Sequence, residues 1–376
     1  MIKRKFFWAL PLVIILTSLL SRVSAQTNSS GNSLAVIAYC HGAPDDLDSY
    51  PIEKLTHIIY SFLHLNGNEL VAGVHDSLAI TKLTGLKERN PGLKVILSLG
   101  GWGGCPTCSQ VFSTEKGRKD FSISVKNLLE KFKADGLDLD WEYPALESIP
   151  GFAYSAADKQ NFTLLIRSLR QTIGENYELS FAAGGFTDFF DKSIEWDKVM
   201  PLINRVNIMT YDYINGYSTK TGHHTPLYST SGQEESTDNA VKLLSTFGVP
   251  KNKMVIGTAF YARIFNNADT INHGLYQKCQ FEGFVGYRSF TEYFSQHPGF
   301  VFFWDDIAKA AYAYNAEQKL FATFDDERSV ALKTTYAKEQ GLNGIMFWSL
   351  NSDAPDNGLI DIIYRALNQN PAVYEH

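Results

Sequence analysis

The sequence predicts an α/β fold, a (β/α)8 TIM barrel, and two observations support this prediction. Short apolar runs recur eight times along the chain, and segments with the apolar period of a helix lie between several of them. Repeated strand–helix units are typical of parallel sheets that helices cover. The alternative is an open doubly wound sheet, but no glycine-rich phosphate loop follows the first run. A closed barrel is therefore favoured.

The predicted strands are short runs of β-branched, aliphatic and aromatic residues. In chain order they are Ala35–Cys40, His57–Leu63, Lys94–Gly100, Gly136–Glu142, Glu178–Ala183, Arg205–Asp212, Lys253–Tyr261 and Gly344–Leu350. The clearest helices are Gly117–Ala134, Ala156–Ile173 and Arg328–Gln340, because their apolar residues repeat near one face.

One interval, residues 264–323, interrupts this alternation between the seventh and the eighth predicted strand. It is rich in aromatic residues, and a loop of this length needs structure of its own. We interpret it as a small α+β insertion domain on the rim of the barrel. The catalytic barrel is then expected to occupy residues 33–376 around the insertion.

The first 25 residues predict a signal peptide. Lys3, Arg4 and Lys5 precede the apolar run Phe6–Leu20, and Val23–Ala25 provides a small-residue cleavage site. An uncleaved membrane anchor is the alternative, although the run is short for a membrane span. No later segment is long and apolar enough to cross a bilayer. We therefore expect a secreted or periplasmic protein that has no membrane association after cleavage.

Charge and cysteine content narrow the possible partners. The formal net charge is −6, and it becomes more negative once the basic signal segment is removed. This argues against nucleic acid as a partner. In an exported chain, Cys105 and Cys108 predict a local disulfide rather than half of a zinc site, because no second pair completes such a site. The neighbouring His223 and His224 are expected in a solvated loop, and no metal site is predicted.

The most informative segment contains Asp138, Asp140 and Glu142, which are spaced by two. On a strand, residues two apart share a face, so the three carboxylates are expected to point the same way. Burying such a row costs free energy that no folding requirement explains. A solvated strand face or a calcium site is the structural alternative, but the alternate positions are strongly apolar. The segment therefore predicts the catalytic end of a barrel strand.

Aromatic and polar residues recur where the other predicted strands end. Aromatic faces bind the apolar faces of sugar rings, and carboxylates and arginine bind the hydroxyl groups. Their recurrence around an acidic row predicts a carbohydrate-binding groove. The candidate substrate-binding residues are Tyr39, Phe62, Gly101, Trp102, Tyr143, Met209, Asp212, Tyr261, Arg263 and Trp348.

From about Ser33 to its C-terminus, the chain resembles glycoside hydrolase family 18, the chitinase family. The family's D-G-x-D-x-D-x-E motif is matched by the segment from Asp135 to Glu142, its S-x-G-G by Ser98–Gly101, and its M-x-Y-D by Met209–Asp212. The strand-eight tryptophan corresponds to Trp348, and residues 264–323 resemble the family's chitinase insertion domain. Ala262 departs from the family's F-Y-G-R pattern.

The resemblance implies a mechanism in which the substrate's own 2-acetamido group attacks the anomeric carbon. Glu142 is then the general acid and base, and Asp140 orients the acetamide N–H. Asp138 is expected to share a proton with Asp140, so that the pair carries one charge. Tyr211 is expected to hold the acetamide carbonyl, and Trp348 to form the floor of the site. The resemblance implies no cofactor.

The expected function is hydrolysis of β-1,4 bonds in chitin or in N-acetylglucosamine oligosaccharides, by a monomer. Two alternatives stay open. One is an endo-β-N-acetylglucosaminidase that acts on N-glycans or peptidoglycan, and the other is a non-catalytic, lectin-like protein that binds chitin. Retention of Glu142, Asp140 and Tyr211 favours an enzyme over the lectin, and the insertion favours chitin by analogy.

Overall fold

The computed structural model describes Met1 and residues 34–368, so the predicted signal peptide lies, apart from Met1, outside the described residues. The strands are β1 (Ala35–His41), β2 (His57–Asn66), β3 (Glu69–Val71), β4 (Lys94–Gly100), β5 (Gly136–Asp140), β6 (Glu178–Gly184), β7 (Arg205–Met209), β8 (Met254–Ala259), β9 (Tyr261–Asn266), β10 (Gln280–Gly286), β11 (Phe300–Asp305), β12 (Ala310–Asn315), β13 (Leu320–Phe324) and β14 (Gly344–Trp348). The helices are α1 (Val74–Gly85), α2 (Cys108–Phe112), α3 (Glu115–Phe132), α4 (Asp158–Ile173), α5 (Thr187–Lys192), α6 (Trp196–Val199), α7 (Thr237–Thr246), α8 (Phe290–Gln296), α9 (Glu327–Glu339) and α10 (Leu359–Asn368).

Eight parallel strands form a closed barrel. Their order is β1, β2, β4, β5, β6, β7, β8 and β14, and pairing of β14 with β1 closes the circle. The predicted (β/α)8 barrel is therefore confirmed. A small apolar cluster fills the barrel interior and consists of Ala35, Ile37, Tyr39, Ile59, Ile96, Val255 and Met346. A much larger apolar layer packs the outer faces of the strands against the helices.

Several strands end earlier than the sequence predicts. Strand β5 ends at Asp140, so Glu142 lies beyond the strand rather than on its face. Strand β7 ends at Met209, and Asp212 follows in the left-handed region with a φ of 60°. Because left-handed backbone stops a strand, the polar residues after β7 belong to a loop.

A second sheet lies between β8 and α9 in the chain. Its five antiparallel strands run in the order β10, β9, β13, β12 and β11. Strand β9 begins at Tyr261, so the residues Tyr261 and Arg263, which were expected at the end of a barrel strand, lie on this sheet instead. Helix α8 follows β10, and its Phe290 and Phe294 pack on one face of the sheet. The limits 264–323 and the reading as a separate domain stay predictions.

Local side-chain contacts fix where the longer helices begin. Before α3, Thr114 accepts a hydrogen bond from the backbone N–H of Gly117, and α3 is followed by Lys133 in the left-handed conformation. Before α9, Asp326 and Ser329 cap each other's backbone N–H groups. Within residues 34–368, no helix combines the length and the apolar character that crossing a membrane would require.

A charged cluster occupies the end of the barrel where the strands begin. Glu178 of β6 accepts a hydrogen bond from Nε2 of His57 at 3.1 Å, forms a salt bridge with Nη2 of Arg205 at 2.8 Å, and also pairs with Lys94. Burial opposes ionisation of Glu178, but the hydrogen bond from His57 and the charge of Arg205 hold its pKa well below the usual range. This charged cluster serves stability, because barrel chemistry takes place at the opposite end.

We expect Glu178→Gln to lower the free energy of unfolding by about 3 kcal/mol at pH 7, since it leaves the buried guanidinium group of Arg205 without its partner. A lowered carboxyl pKa stabilises the fold above the ordinary glutamate value of about 4.3, and this stabilisation is lost as the pH falls below it. The difference between variant and wild type should therefore shrink at pH 3 in denaturant unfolding. Glu130→Gln is the control, because its contact with Lys126 is exposed and 4.0 Å long. An equal difference at both pH values would contradict this account.

Candidate active site

Asp138 lies in the barrel interior at the bottom of the site. In register with it are Ser98 of β4 and Ser180 of β6. Its Oδ1 accepts hydrogen bonds from Oγ of Ser180 at 2.6 Å and from Nδ2 of Asn207 at 3.1 Å. Its Oδ2 accepts from Oγ of Ser98 at 3.0 Å and from the hydroxyl of Tyr39 at 3.2 Å. Four donors therefore use the acceptor positions of this carboxylate.

Asp140 is the next residue on the same face, and it is buried without such support. Its Oδ1 has no hydrogen-bond partner in the described part of the chain. Burial, and then the charges of Glu142 and Asp138, raise the pKa of Asp140 well above its usual range. That Asp138 shares a proton with Asp140 stays a prediction. Burial also raises the pKa of Asp138, but its four hydrogen-bond donors counteract this, so the geometry favours Asp140 as the residue that holds the proton.

Glu142 lies beyond the end of β5 and is partly buried at the site. Loss of water around its carboxyl group, together with the negative charge of Asp212, raises its pKa to about 7. A group with a pKa near neutrality can both donate and accept a proton, as a general acid and base must. The role of Glu142 as general acid and base stays a prediction, and this pKa supports it.

Asp212 is the ionised carboxylate of the site. It accepts hydrogen bonds from the hydroxyl of Tyr261 at 2.7 Å and from Nε of Arg263 at 2.8 Å, and Nδ1 of His224 lies 3.4 Å away. Burial opposes its charge, but the hydrogen bonds from His224 and Arg263 hold its pKa below the usual range. Its carboxylate oxygens are committed to these donors, and its charge acts on Glu142.

The prediction that His223 and His224 are solvated is wrong, because both side chains are fully buried. His223 contacts Oδ2 of Asp305 on β11 at 3.0 Å, whereas His224 contacts Asp212. The pair thus joins the second sheet to the site. Two adjacent histidines in a polar segment do not form the hydrophobic pattern from which burial is predicted, so the sequence gives no indication that they are buried.

Tyr211 lies near Asp140 with its ring above Gly257. A Cβ at Gly257 would lie 2.7 Å from this ring, so glycine is needed there to leave room. The hydroxyl of Tyr211 lies 3.9 Å from Sδ of Met346. Burial and the charges of Asp140 and Asp212 raise the pKa of Tyr211 well above its usual range. The hydroxyl therefore stays protonated and can donate a hydrogen bond.

Aromatic rings form the surfaces around these polar groups. Trp348 stacks on Phe62 with ring centroids 5.5 Å apart, and Tyr39 lies 6.1 Å from Trp348. Trp102 is 50% exposed and lies 6.3 Å from Tyr143. Exposed indole faces of this kind bind the apolar faces of sugar rings.

Backbone constraints hold Trp102 at the rim. Gly100 has a φ of +111°, and a Cβ there would lie 2.1 Å from the carbonyl oxygen of Asp140. A disulfide joins Cys105 to Cys108 just after this turn, which confirms the predicted local pairing. Cys40 and Cys279 are buried free thiols. Glycine and disulfide together restrict the loop that carries Trp102.

These groups line one cavity of about 850 Å³. Of the predicted site residues it includes Tyr39, Phe62, Trp102, Asp140, Glu142, Tyr143, Met209, Tyr211, Asp212, Tyr261, Arg263 and Trp348. Two predicted residues are not in its lining. Asp138 lies beneath the cavity, and Gly101 packs against the ring of Phe62, where a Cβ would lie 2.3 Å from that ring.

Sequence reasoning missed part of the same cavity. Phe186, Tyr213, Tyr217, Glu235, Phe281 and Phe284 also line it. Tyr217, 67% exposed and 6.1 Å from Trp102, follows the M-x-Y-D motif closely enough to be suspected from the sequence. Glu235 comes from a loop without any pattern. Among residues 34–368, no group of three or more His, Cys, Asp or Glu side chains is placed to hold a metal ion.

Comparison with known proteins agrees with this geometry. The profile of Glycosyl hydrolases family 18 matches residues 25–353. Chitinase A1 from Niallia circulans is 34% identical over 303 residues, which are 73% of this chain and 42% of that protein. A family 18 N-acetylglucosaminidase from Paenibacillus barengoltzii superimposes with a TM-score of 0.81 at 35% identity and covers 89% of this chain and 99% of its own.

Chitinase ChiW from Paenibacillus sp. str. FPU-7 superimposes with a TM-score of 0.84 at 31% identity, over 90% of this chain and 43% of its own. This chain thus spans less than half the length of Chitinase A1 and of ChiW. The matches to chitinases and to the N-acetylglucosaminidase show that this barrel is a glycoside hydrolase. The chain belongs to glycosyl hydrolases family 18.

Proposed function

We propose that this protein is a chitinase that cleaves β-1,4 bonds between N-acetylglucosamine units by a substrate-assisted, retaining mechanism. The observation that carries the proposal is that Asp140 is buried and that its Oδ1 has no hydrogen-bond partner in the described residues. An ordinary retaining glycosidase needs an ionised carboxylate as nucleophile beside its acid. The raised pKa of Asp140 makes it a poor nucleophile, and hydrogen bonds to Arg263 and Tyr261 occupy Asp212. The nucleophile must then come from the substrate, and a 2-acetamido group can supply it.

The side chains are suited to the steps of this reaction. Glu142 donates its proton to the glycosidic oxygen as the bond from that oxygen to the anomeric carbon breaks. The acetamide oxygen forms a bond to the same carbon, and the Tyr211 hydroxyl donates a hydrogen bond that holds this oxygen in line. The unpartnered Oδ1 of Asp140 accepts a hydrogen bond from the acetamide N–H. Glu142 then takes a proton from the water that opens the intermediate.

The names of the relatives support chitin as the substrate and also define a second candidate. Chitinase A1 and ChiW are chitinases, whereas the Paenibacillus barengoltzii enzyme is described as an N-acetylglucosaminidase. The latter match covers 99% of that enzyme, which favours release of single N-acetylglucosamine units as the alternative. A time course of products from N-acetylglucosamine hexamers separates the two. Early dimers and trimers indicate a chitinase, and monomers alone indicate the second candidate.

Export is part of the same proposal. The basic and apolar pattern of residues 1–25 supports a cleaved signal peptide. An insoluble polymer such as chitin is degraded outside the cell, so export suits the proposed substrate. The proposed partners are chitin and N-acetylglucosamine oligosaccharides, and the protein is proposed to act as a monomer.

We expect Glu142→Gln to abolish turnover of N-acetylglucosamine oligomers and to leave their binding near normal. The amide keeps the shape of the side chain and removes only the transferable proton, and loss of general acid–base catalysis costs at least about 100-fold in rate. Single-turnover assays and calorimetric titration of the same preparation measure the two effects. Hydrolysis comparable to that of the wild type would remove Glu142 from this role.

The second sheet is proposed to form one wall of the substrate groove. Phe281 and Phe284 of β10 line the cavity, and the guanidinium group of Arg263 lies 5.5 Å from the ring of Phe281. Phe284 is 70% exposed, as expected for a ring that binds a sugar rather than one that packs in a core.

We expect Phe284→Ala to weaken binding of N-acetylglucosamine hexamer about tenfold, the loss of one ring-stacking contact, and to leave binding of the dimer nearly unchanged. The matched control is Phe302→Ala, because Phe302 of β11 is similarly exposed at 58% but lies outside the cavity lining. Calorimetric titration with both oligomers in the Glu142→Gln background measures the effect without hydrolysis. Equal losses in the two variants would show that β10 is not a wall of the groove.

A further inference from the structure

Two polar residues beneath the site have no assigned role, namely Ser180 on β6 and Asn207 on β7. Both are buried, with exposures of 3% and 0%. Their side chains converge on the same oxygen, Oδ1 of Asp138, at 2.6 Å and 3.1 Å. The Nδ2 group of Asn207 also donates to the hydroxyl of Tyr39 at 3.1 Å. Asn207 therefore supports Asp138 twice, directly and through Tyr39.

The orientation of the Asn207 amide follows from its neighbour. A carboxylate oxygen accepts hydrogen bonds and cannot donate them, so the amide must turn Nδ2 rather than Oδ1 towards Asp138. This leaves Oδ1 of Asn207 buried without a partner in the described residues. An unpartnered buried acceptor costs free energy that an apolar residue at this position would avoid. The gain that offsets this cost is the hydrogen bond to the charge.

We propose that Ser180 and Asn207 are positioning residues that keep Asp138 ionised and thereby assign the proton of the aspartate pair to Asp140. This inference rests on the proposed function, since it concerns the residue that receives the acetamide group. With two donors on each of its oxygens, Asp138 has no free acceptor position for a proton shared with Asp140. Asp140, without donors, then holds the proton.

The negative charge of Asp138 depends on its four hydrogen-bond donors, because its other surroundings do not stabilise an anion. The titratable groups that face it are Tyr39 on β1, Asp140 on its own strand and Tyr211 after β7. Burial raises the pKa of Asp138, and the hydrogen bonds from Ser180, Ser98, Tyr39 and Asn207 lower it. The remaining interior is apolar, with Ile59, Ile96, Val255 and Met346. No positively charged side chain donates a hydrogen bond to Asp138 within residues 34–368. Neutral donors alone therefore stabilise this anion.

The test uses Ser180→Ala and Asn207→Ala, each of which removes donors to Asp138. Fewer donors raise the pKa of Asp138, so a given acidic pH neutralises more of it. The acidic limb of the kcat profile on N-acetylglucosamine oligomers should then move upward by about one pH unit in each variant. Ser180→Thr keeps a hydroxyl group and should restore the wild-type profile.

Ser193→Ala is the matched control, because the Ser193 hydroxyl is equally buried and has no partner in the described residues. It should leave the acidic limb in place. Thermal unfolding of every variant checks the fold. If kcat falls while the acidic limb stays at its wild-type pH in both Ser180→Ala and Asn207→Ala, the two residues are only structural and the proposal is overturned.

A second readout is independent of substrate. Carbon-13 NMR of protein with labelled aspartate carboxyl groups, with the Asp138 signal assigned from Asp138→Asn, follows the ionisation of Asp138 directly. We expect its midpoint to rise by about one pH unit in Ser180→Ala. An unchanged midpoint would overturn the proposal even if the enzyme is active. Absence of wild-type turnover, by contrast, would reject the proposed function and leave this titration to decide the inference.

Discussion

The site depends on one constraint: two aspartates, Asp138 and Asp140, lie two residues apart inside a barrel that excludes water. Two negative charges so close together in an apolar interior would destabilise the fold. The protein resolves this by giving Asp138 four hydrogen-bond donors and Asp140 none. In the arrangement proposed here, the pair carries one charge, on Asp138, and one proton, on Asp140. The proposed catalysis uses this difference between the two aspartates. Asp138 supplies a fixed anion, and Asp140 supplies a free acceptor for the acetamide N–H.

A second inequality separates Glu142 from Asp212. Arg263, Tyr261 and His224 surround Asp212 and keep it ionised, whereas no positively charged side chain of the described residues pairs with Glu142, and its pKa lies near neutrality. Two carboxyl groups in one cavity thus differ in protonation because their environments differ, which is how a site obtains an acid at neutral pH. Strand β5 carries Asp138 and Asp140. Glu142 and Asp212 lie in loops, and residues of the second sheet hold Asp212 in place.

Much of this could be predicted from the sequence, because its signals are local. Strand period, apolar alternation and the D-G-x-D-x-D-x-E motif identify the barrel and the acidic row without any long-range information. The errors concern contacts between distant segments. Nothing local shows that Tyr261 and Arg263 belong to the second sheet, or that His223 and His224 are buried between that sheet and the site. Ser180 and Asn207 are single polar residues in buried strands. The stagger of neighbouring strands, which the sequence does not display, decides that they meet Asp138.

The most direct test of the central claim, that the substrate supplies the nucleophile, is the stereochemistry of the first product. Attack by the acetamide oxygen and then by water inverts the anomeric centre twice, so proton NMR of early hydrolysis products should show the β-anomer. Fully deacetylated oligomers, which lack the internal nucleophile, should not be cleaved. An initial α-anomer, or comparable hydrolysis of deacetylated oligomers, would contradict the account.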